Sequence, residues 1–207
     1  LSPFITFEGG EGCGKSTQAR ALYRKLRRHN IPVVLTHEPG GTVLGNKIAR
    51  ELKRKRDEPI SPEAELLLFT ASRAQLIAQV IRPALQGGKV VICDRFSNST
   101  LAYQGYGREI GLSTAEMVNI LATQGLKPSL IFLMDLPPER GLARKQSLED
   151  HFEREELSFH RRVREGYLKM ASAEPDRWLV IDASLPERKI AGIIWEKVSQ
   201  LLPNLSF

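Results

Sequence analysis

Five short stretches of the chain are almost wholly apolar: residues 4–7, 31–36, 89–94, 130–135 and 178–182. Continuous apolar runs, as opposed to alternating ones, predict strands buried on both faces, as in a parallel sheet. The segments between them carry apolar residues three and four apart. Ala19, Leu22, Tyr23 and Leu26 are one such set, and helices are predicted over 18–28, 43–55, 61–86, 113–125, 137–145, 161–173 and 187–202. Ser61-Pro62 followed by Glu63 and Glu65 is a strong helix start, with a capping hydroxyl, a first-turn proline and early acids. Ser113 with Glu116 reads as a capping box. Residues 146–154 break the pattern and read as a connection between helices, flanked by Arg144, Lys145 and Arg154. Alternating strands and helices imply an α/β, doubly wound parallel sheet in one domain spanning 1–207.

In such a sheet ligands bind beyond the carboxyl ends of the strands, so residues there are site candidates. After the first strand comes Gly9-x-x-x-x-Gly14-Lys15-Ser16, a P-loop pattern in the strand–loop–helix context it needs. Gly9, Gly12 and Gly14 keep side chains clear of the backbone N–H groups that wrap a triphosphate and allow positive φ. The helix starting near Lys15 adds its N-terminal partial charge. Lys15 reaches the β- and γ-phosphates, and the Ser16 hydroxyl is a Mg²⁺ ligand. Gly10, Glu11, Gly12, Cys13, Gly14, Lys15, Ser16 and Thr17 are therefore the candidate ATP contacts, although the loop alone fits ATP or GTP. Asp94 and Arg95 follow an apolar strand, where charge is costly unless used. Asp94 suits a second Mg²⁺ contact and Arg95 a bidentate phosphate grip. Glu38 stands at the end of the second strand, where an ordinary exposed turn is the equal alternative. Phe69 and Arg73 share a helix face, which suits either base stacking with edge recognition or a core aromatic beside a snorkelling arginine. If 99–105 is helical, Thr100, Tyr103 and Gln104 share a face, and Gln104 can read a base edge.

Composition narrows the partners. The 207 residues are 42% hydrophobic, enough for a core, and the net charge is +6. No nucleic-acid-binding motif accompanies that charge, so small anionic substrates are favoured over nucleic acid, and Lys53-Arg54-Lys55-Arg56 reads as a solvated helix end. Two cysteines, Cys13 and Cys93, lack metal-ligand spacing and suit a reducing cytosol. No uninterrupted apolar run approaches membrane-spanning length, and the amino terminus carries no signal-like pattern, so no membrane association is expected.

Together these pieces resemble the thymidylate kinase family along essentially the whole chain. The likeness rests on 8–17, Glu38-Pro39-Gly40-Gly41-Thr42, 67–73, Asp94-Arg95-Phe96, 101–105, 159–167 and Asp182-Ala183-Ser184. It implies the three-layer fold of P-loop nucleoside-monophosphate kinases, with a short lid at about 140–154. It also implies γ-phosphoryl transfer from ATP to dTMP with Mg²⁺, in a cytoplasmic homodimer. In the family pattern Phe69 stacks on thymine, Arg73 and Gln104 read its edge and Arg95 holds the acceptor phosphate. Glu11 lies near the 3′-hydroxyl, with Thr100 and Tyr103 near the sugar. Lys15, Arg95 and Arg144 are the expected catalytic set. Arg144 enters because Gly12 stands where some members carry a P-loop arginine, and members with glycine there draw their cations from the lid. The chain departs from the pattern at His37, Ala49, Asn98 and His151, and Arg50 is expected to point away from the site. The alternatives are a kinase for another nucleoside or monophosphate, a non-catalytic nucleotide-binding relative and, lacking Asn-Lys-x-Asp, a GTPase last of all.

Overall fold

The structure, a computed structural model, describes residues 2–54, 58–144 and 152–202. Five parallel strands form one sheet in the order β2-β3-β1-β4-β5. They are β1 (Phe4–Glu8), β2 (Val33–His37), β3 (Val90–Asp94), β4 (Leu130–Asp135) and β5 (Trp178–Asp182). The α/β doubly wound expectation holds, with strand bounds shifted by a residue or two. β1 sits centrally, so the loop after it opens at the middle of the sheet. Register places Phe7 opposite Asp94, and Asp135 opposite Asp182, so the acids come out along the same edge.

Strand alternation divides the core between two faces. Ile5, Phe7, Ile92 and Phe132 face helices α1 (Lys15–Arg28) and α9 (Glu187–Leu201), packing on Leu22, Leu26, Ile190 and Ile194. On the other face, Phe4, Val91 and Cys93 meet Leu76, Ile77 and Ile81, while Ile131 and Leu133 meet Phe159, Val163 and Tyr167 of α8 (Leu157–Ala173). β1, β3 and β4 are buried on both faces, as their uninterrupted apolar runs require, whereas the edge strands β2 and β5 are partly exposed, Val180 at 46%.

The long predicted helix runs over Pro62–Gln86. It consists of α3 (Pro62–Leu76), a π-helical turn at Ile77–Ile81 and α4 (Arg82–Gln86). Pro83 lacks an N–H, and a wider turn just ahead of it removes the clash with the preceding carbonyls. By length and composition this helix would be long and apolar enough to cross a membrane. It also carries Glu65 and Arg73, both buried against the rest of the protein. The Ser61 cap is present, its hydroxyl accepting from the Ala64 N–H.

Several helix bounds and one helix type differ from expectation. α6 (Leu112–Thr123) starts ahead of Ser113: the Gly111 carbonyl accepts the first helical bond from Ala115, and Ser113 caps nothing. Gly111, at φ 103, turns the chain into the helix before the serine is reached. α8 begins at Leu157, not 161, because Phe159 and His160 extend its buried stripe one turn earlier. The segment after α5 (Ser97–Thr100) is π-helical over Leu101–Gly107, with Arg108 N–H bonded to the Tyr103 carbonyl. α2 spans Val43–Lys53, and α7 spans Pro138–Ala143. α2 stops short of the expected 55, because Arg54 turns extended at φ −60 and ψ 133; residue 55 and the stretch 145–151 of the lid, His151 included, lie outside the described residues. Phe152–Arg154, expected as open connection, forms a 3-10 turn with Phe152 buried.

Candidate active site

One cavity of about 1330 Å³ opens at the carboxyl edge of the sheet. Its walls come from the P-loop, the ends of β2 and β3, α2, α3, the π-helical turn and the lid root. Glu11, Gly12, Gly14, Lys15, Ser16 and Thr17 line it from the loop. Glu38, Phe69, Arg73, Asp94, Arg95, Thr100, Tyr103, Gln104 and Arg144 also line it. Every nominated side chain outside the P-loop thus faces one space, and within the loop only Gly10 and Cys13 stand behind its wall.

The loop is built from backbone. Gly14 caps α1 at φ 89, a left-handed geometry that leaves the first N–H groups of the helix facing the cavity. The Lys15 ammonium folds onto the loop, 2.5 Å from the Gly10 carbonyl and 3.3 Å from Cys13 Sγ. Gly12, at φ +65, lies so close to α7 that a Cβ there would sit 2.0 Å from the Gly141 carbonyl oxygen. The contact is mutual, since a Cβ on Gly141 would be 2.2 Å from the Glu11 carbonyl oxygen. Gly12 is therefore more than clearance for phosphate: it is the seat of α7. Arg144 ends α7, and its guanidinium donates to the Ala183 carbonyl at 3.2 and 3.3 Å and reaches the Gly12 carbonyl at 3.4 Å.

The Ser16 hydroxyl donates to Asp94 Oδ2, pairing two hard oxygen ligands at the mouth of the loop. Among the described residues no cluster of three or more His, Cys, Asp or Glu could hold a metal by itself. Two protein oxygens beside a phosphate cradle fit Mg²⁺, which takes few protein ligands and the rest from phosphate and water.

The opposite wall is wired by side chains. Arg95 ends the β3 turn at φ 68. Its Nη2 donates to Glu11 Oε1 at 2.6 Å and to the Tyr103 hydroxyl at 3.1 Å, and Nη1 donates to the Gly9 carbonyl at 3.0 Å. Tyr103 O–H donates to Glu11 Oε1 at 2.6 Å. Burial opposes charge on Arg95, but Tyr103, Glu11, Tyr167 and Asp94 outweigh it and hold the guanidinium firmly protonated. Burial likewise pushes the Tyr103 phenol well above its ordinary value, so it stays a neutral donor.

Arg73 is only 1% exposed. Its Nε donates to Glu38 Oε2, Nη1 to Thr100 Oγ1 and Asn119 Oδ1, and Nη2 to the Phe96 carbonyl. Nη2 also lies 2.6 Å from Glu38 Oε2. These acceptors occupy its five N–H directions. Glu38 Oε1 is buried and, among the described residues, has no hydrogen-bond partner. Burial raises its pKa, against the lowering effect of Arg73. Gln104 Nε2 donates to Glu65 Oε1 at 2.8 Å, and Glu65 is gripped in turn by Arg108.

The sequence model of the thymidylate kinase family matches residues 7–194. The chain belongs to the thymidylate kinase family. It is 55% identical to the thymidylate kinase of Dehalococcoides mccartyi over 203 residues, covering 98% of each chain. It is 47% identical to that of Deinococcus radiodurans over 199 residues, covering 95% of this chain and 96% of the other. The crystal structure of thymidylate kinase from Ehrlichia chaffeensis superposes with a TM-score of 0.77 at 34% identity, covering 95% of this chain and 98% of that one. The fold is thus that of the P-loop nucleoside-monophosphate kinases.

Several residues of the family-type site were not singled out from sequence. Glu65 reads as an acid complementing a helix N-terminus, yet its carboxylate is buried and fixes Gln104. Phe152 lines the cavity and packs on Phe69 and Tyr103 with ring centroids 5.7 and 5.9 Å apart. An isolated aromatic inside a charged stretch was the signal available. Asn119 and Ser99 carried none, and Tyr167 only its place in the family-like stretch 159–167, because their roles depend on partners distant in sequence. Arg50 is a correction. Both Ala49 and Arg50 line the cavity, because it wraps round the end of α2, where every residue from Ala49 to Arg54 borders it.

Proposed function

We propose that the enzyme transfers the γ-phosphoryl group of ATP to the phosphate of dTMP, giving dTDP and ADP. The observation that carries this reading is the single cavity in which the P-loop faces the Arg95–Glu11–Tyr103 cluster. A donor triphosphate on the loop and an acceptor phosphate at Arg95 would approach each other across it. Phosphoryl transfer asks the protein mainly for alignment and charge neutralisation.

In this reading Lys15 swings from the loop carbonyl to the β- and γ-phosphates. Ser16 and Asp94 hold Mg²⁺, which supplies charge neutralisation on the phosphate oxygens. Arg95 grips the acceptor phosphate while Glu11 and Tyr103 fix its orientation and address the sugar, with Thr100 alongside. Phe69, with Phe152 behind it, stacks on the base. The unpartnered oxygen of Glu38 accepts a hydrogen bond from the bound nucleotide. Gln104, held through its amide by Glu65, presents its carbonyl side to the base edge. Arg73 acts chiefly by fixing Glu38 and Thr100, because its N–H groups are taken up by the protein. Closure of the lid segment at 140–154 would bring Arg144 from the Ala183 carbonyl to the transferring group and exclude water.

The deciding experiment is a coupled ADP-release assay with dTMP, dUMP, dCMP and dAMP side by side. We expect turnover to be fastest with dTMP. Equal rates across the panel would remove the base-reading assignment, and ATP binding without ADP release would favour a non-catalytic relative.

We further infer a cytoplasmic homodimer. Val43 and Leu44 on α2, Leu67 on α3 and Met117, Ile120 and Leu121 on α6 are exposed, and Leu121 is 79% so. α3 packs against both α2 and α6, so these side chains belong to adjoining elements. An apolar surface of this kind suits a second copy of the chain. Sedimentation of Leu121→Glu should show monomers where the native chain shows dimers.

A further inference from the structure

Glu8, the last residue of β1, has no part in the scheme above. It is fully buried. Its Oε1 accepts the Phe96 N–H at 2.9 Å, and its Oε2 accepts the hydroxyls of Ser99 at 2.6 Å and Tyr167 at 3.0 Å. The Ser99 and Tyr167 hydroxyls are themselves 2.8 Å apart. The charged and titratable groups around it are Arg95 and Cys93 from the end of β3 and Tyr167 from α8.

The residue next to this anchor is Arg95, whose φ of 68° is unfavourable for any residue with a side chain. Such a conformation persists only where its surroundings over-determine it. Here the N–H of Arg95 is held by the Phe7 carbonyl at 2.9 Å, and the next N–H, that of Phe96, is held by Glu8. The last two residues of β1 therefore clamp both peptides flanking the Arg95 Cα. Ser99 extends the clamp to the side chain, since Arg95 Nη1 reaches Ser99 Oγ at 3.4 Å.

We propose that Glu8 is a positioning residue that locks the strained turn at Arg95 and so aims its guanidinium at the acceptor phosphate. The proposal rests on the reading of Arg95 as the acceptor-phosphate grip. A carboxylate is an expensive choice for this place: burial pushes its pKa up to about 7. A neutral core residue would avoid that cost, but it could not accept from a backbone N–H and two hydroxyls at once.

The test uses the full-length chain in three forms, Glu8→Gln, Arg95→Ala and the double variant, with dTMP and ATP varied separately. Glu8→Gln keeps the size and one acceptor but loses the charge. We expect it to lower kcat/KM for dTMP about tenfold while the KM for ATP stays within about twofold, an effect in line with weakening one charged hydrogen-bond network. The double variant should lose no more than Arg95→Ala, because Glu8 acts through Arg95. A Glu8→Gln enzyme with native dTMP parameters, equal losses toward both substrates, or losses additive with Arg95→Ala would each overturn the proposal. Unchanged dTMP parameters in Arg95→Ala would overturn the assignment of Arg95 and the proposal with it. A normal Arg95→Ala loss beside a silent Glu8→Gln would overturn the proposal alone. Should Glu8→Gln not fold, Ser99→Ala removes one arm of the clamp. It should lower kcat/KM for dTMP about threefold, and native kinetics there would count against the proposal.

Discussion

The two sides of the cavity hold their cations by different means. On the acceptor side Arg95 and Arg73 are held by carboxylates, hydroxyls and carbonyls from the P-loop, the residues after β2 and β3, α5, α6 and the π-helical turn. On the donor side Lys15 rests on the loop's own carbonyl, and Arg144 on the Ala183 carbonyl, with glycine against glycine between α7 and the loop. Buried charge-assisted bonds fix a guanidinium before substrate arrives, and their loss is costly. Contacts of a cation with neutral carbonyls are readily exchanged for phosphate oxygens. The acceptor side is thus preorganised, whereas the donor-side cations hold partners that they can exchange.

The largest expected effect separates the two sides directly. Arg95→Ala should lower kcat/KM for dTMP by roughly 10³-fold, because the acceptor phosphate loses its cation. Arg144→Ala should lower kcat by roughly 10²-fold with little change in the KM for dTMP. An Arg144→Ala enzyme with native turnover would remove Arg144 from the lid role and make the donor side depend on Lys15 alone.

Next in size is the pH dependence of stability on the acceptor side. The folded-state pKa of Glu8 is raised to about 7, above the ordinary 4.5, with burial as the largest cause. The folded chain therefore binds this proton more tightly than the unfolded chain. Its contribution is fully present below the unfolded value and is lost as pH rises through about 7. Relative to Glu8→Gln, the native chain should lose on the order of 3 kcal/mol between pH 4.5 and neutrality. Parallel denaturant titrations of the two proteins measure it, and a flat difference would mean that solvent relieves the burial of Glu8.

The smallest effect probes the glycine contact. Gly141→Ala should cost about 1–3 kcal/mol, as an overpacked backbone contact does, and should raise the KM for ATP more than that for dTMP. Thermal melts and steady-state kinetics check it. Equal effects on both substrates would mean that α7 couples to the whole cavity and not to the donor side alone.

The legible part of the site consists of residues whose chemistry is local. Lys15 and Ser16 lie within a few residues of the glycines that shape their loop, so the motif carries its own geometry. Asp94 and Arg95 stood out because charge after a buried strand is costly. Glu65 did not, because an acid in the first turn of a helix already has a sufficient local reason. Ser113 misled for the opposite cause: its local pattern is a good cap, but Gly111 turns the chain into the helix first.

By itself, then, the sequence determined the five strands, the parallel α/β arrangement, the phosphate-binding loop and, through a chain-long resemblance, the family. These follow from periodicity and short motifs, where cause and effect lie within one element. Only the tertiary structure decided which partner each buried polar group takes. It gave Arg73 to Glu38, Gln104 to Glu65, Gly12 to Gly141, and Glu8 to the turn that carries Arg95. Those pairings join residues far apart in the chain. They are selected by the cost of leaving a charge, a donor or a close backbone approach unmatched once the sheet has closed.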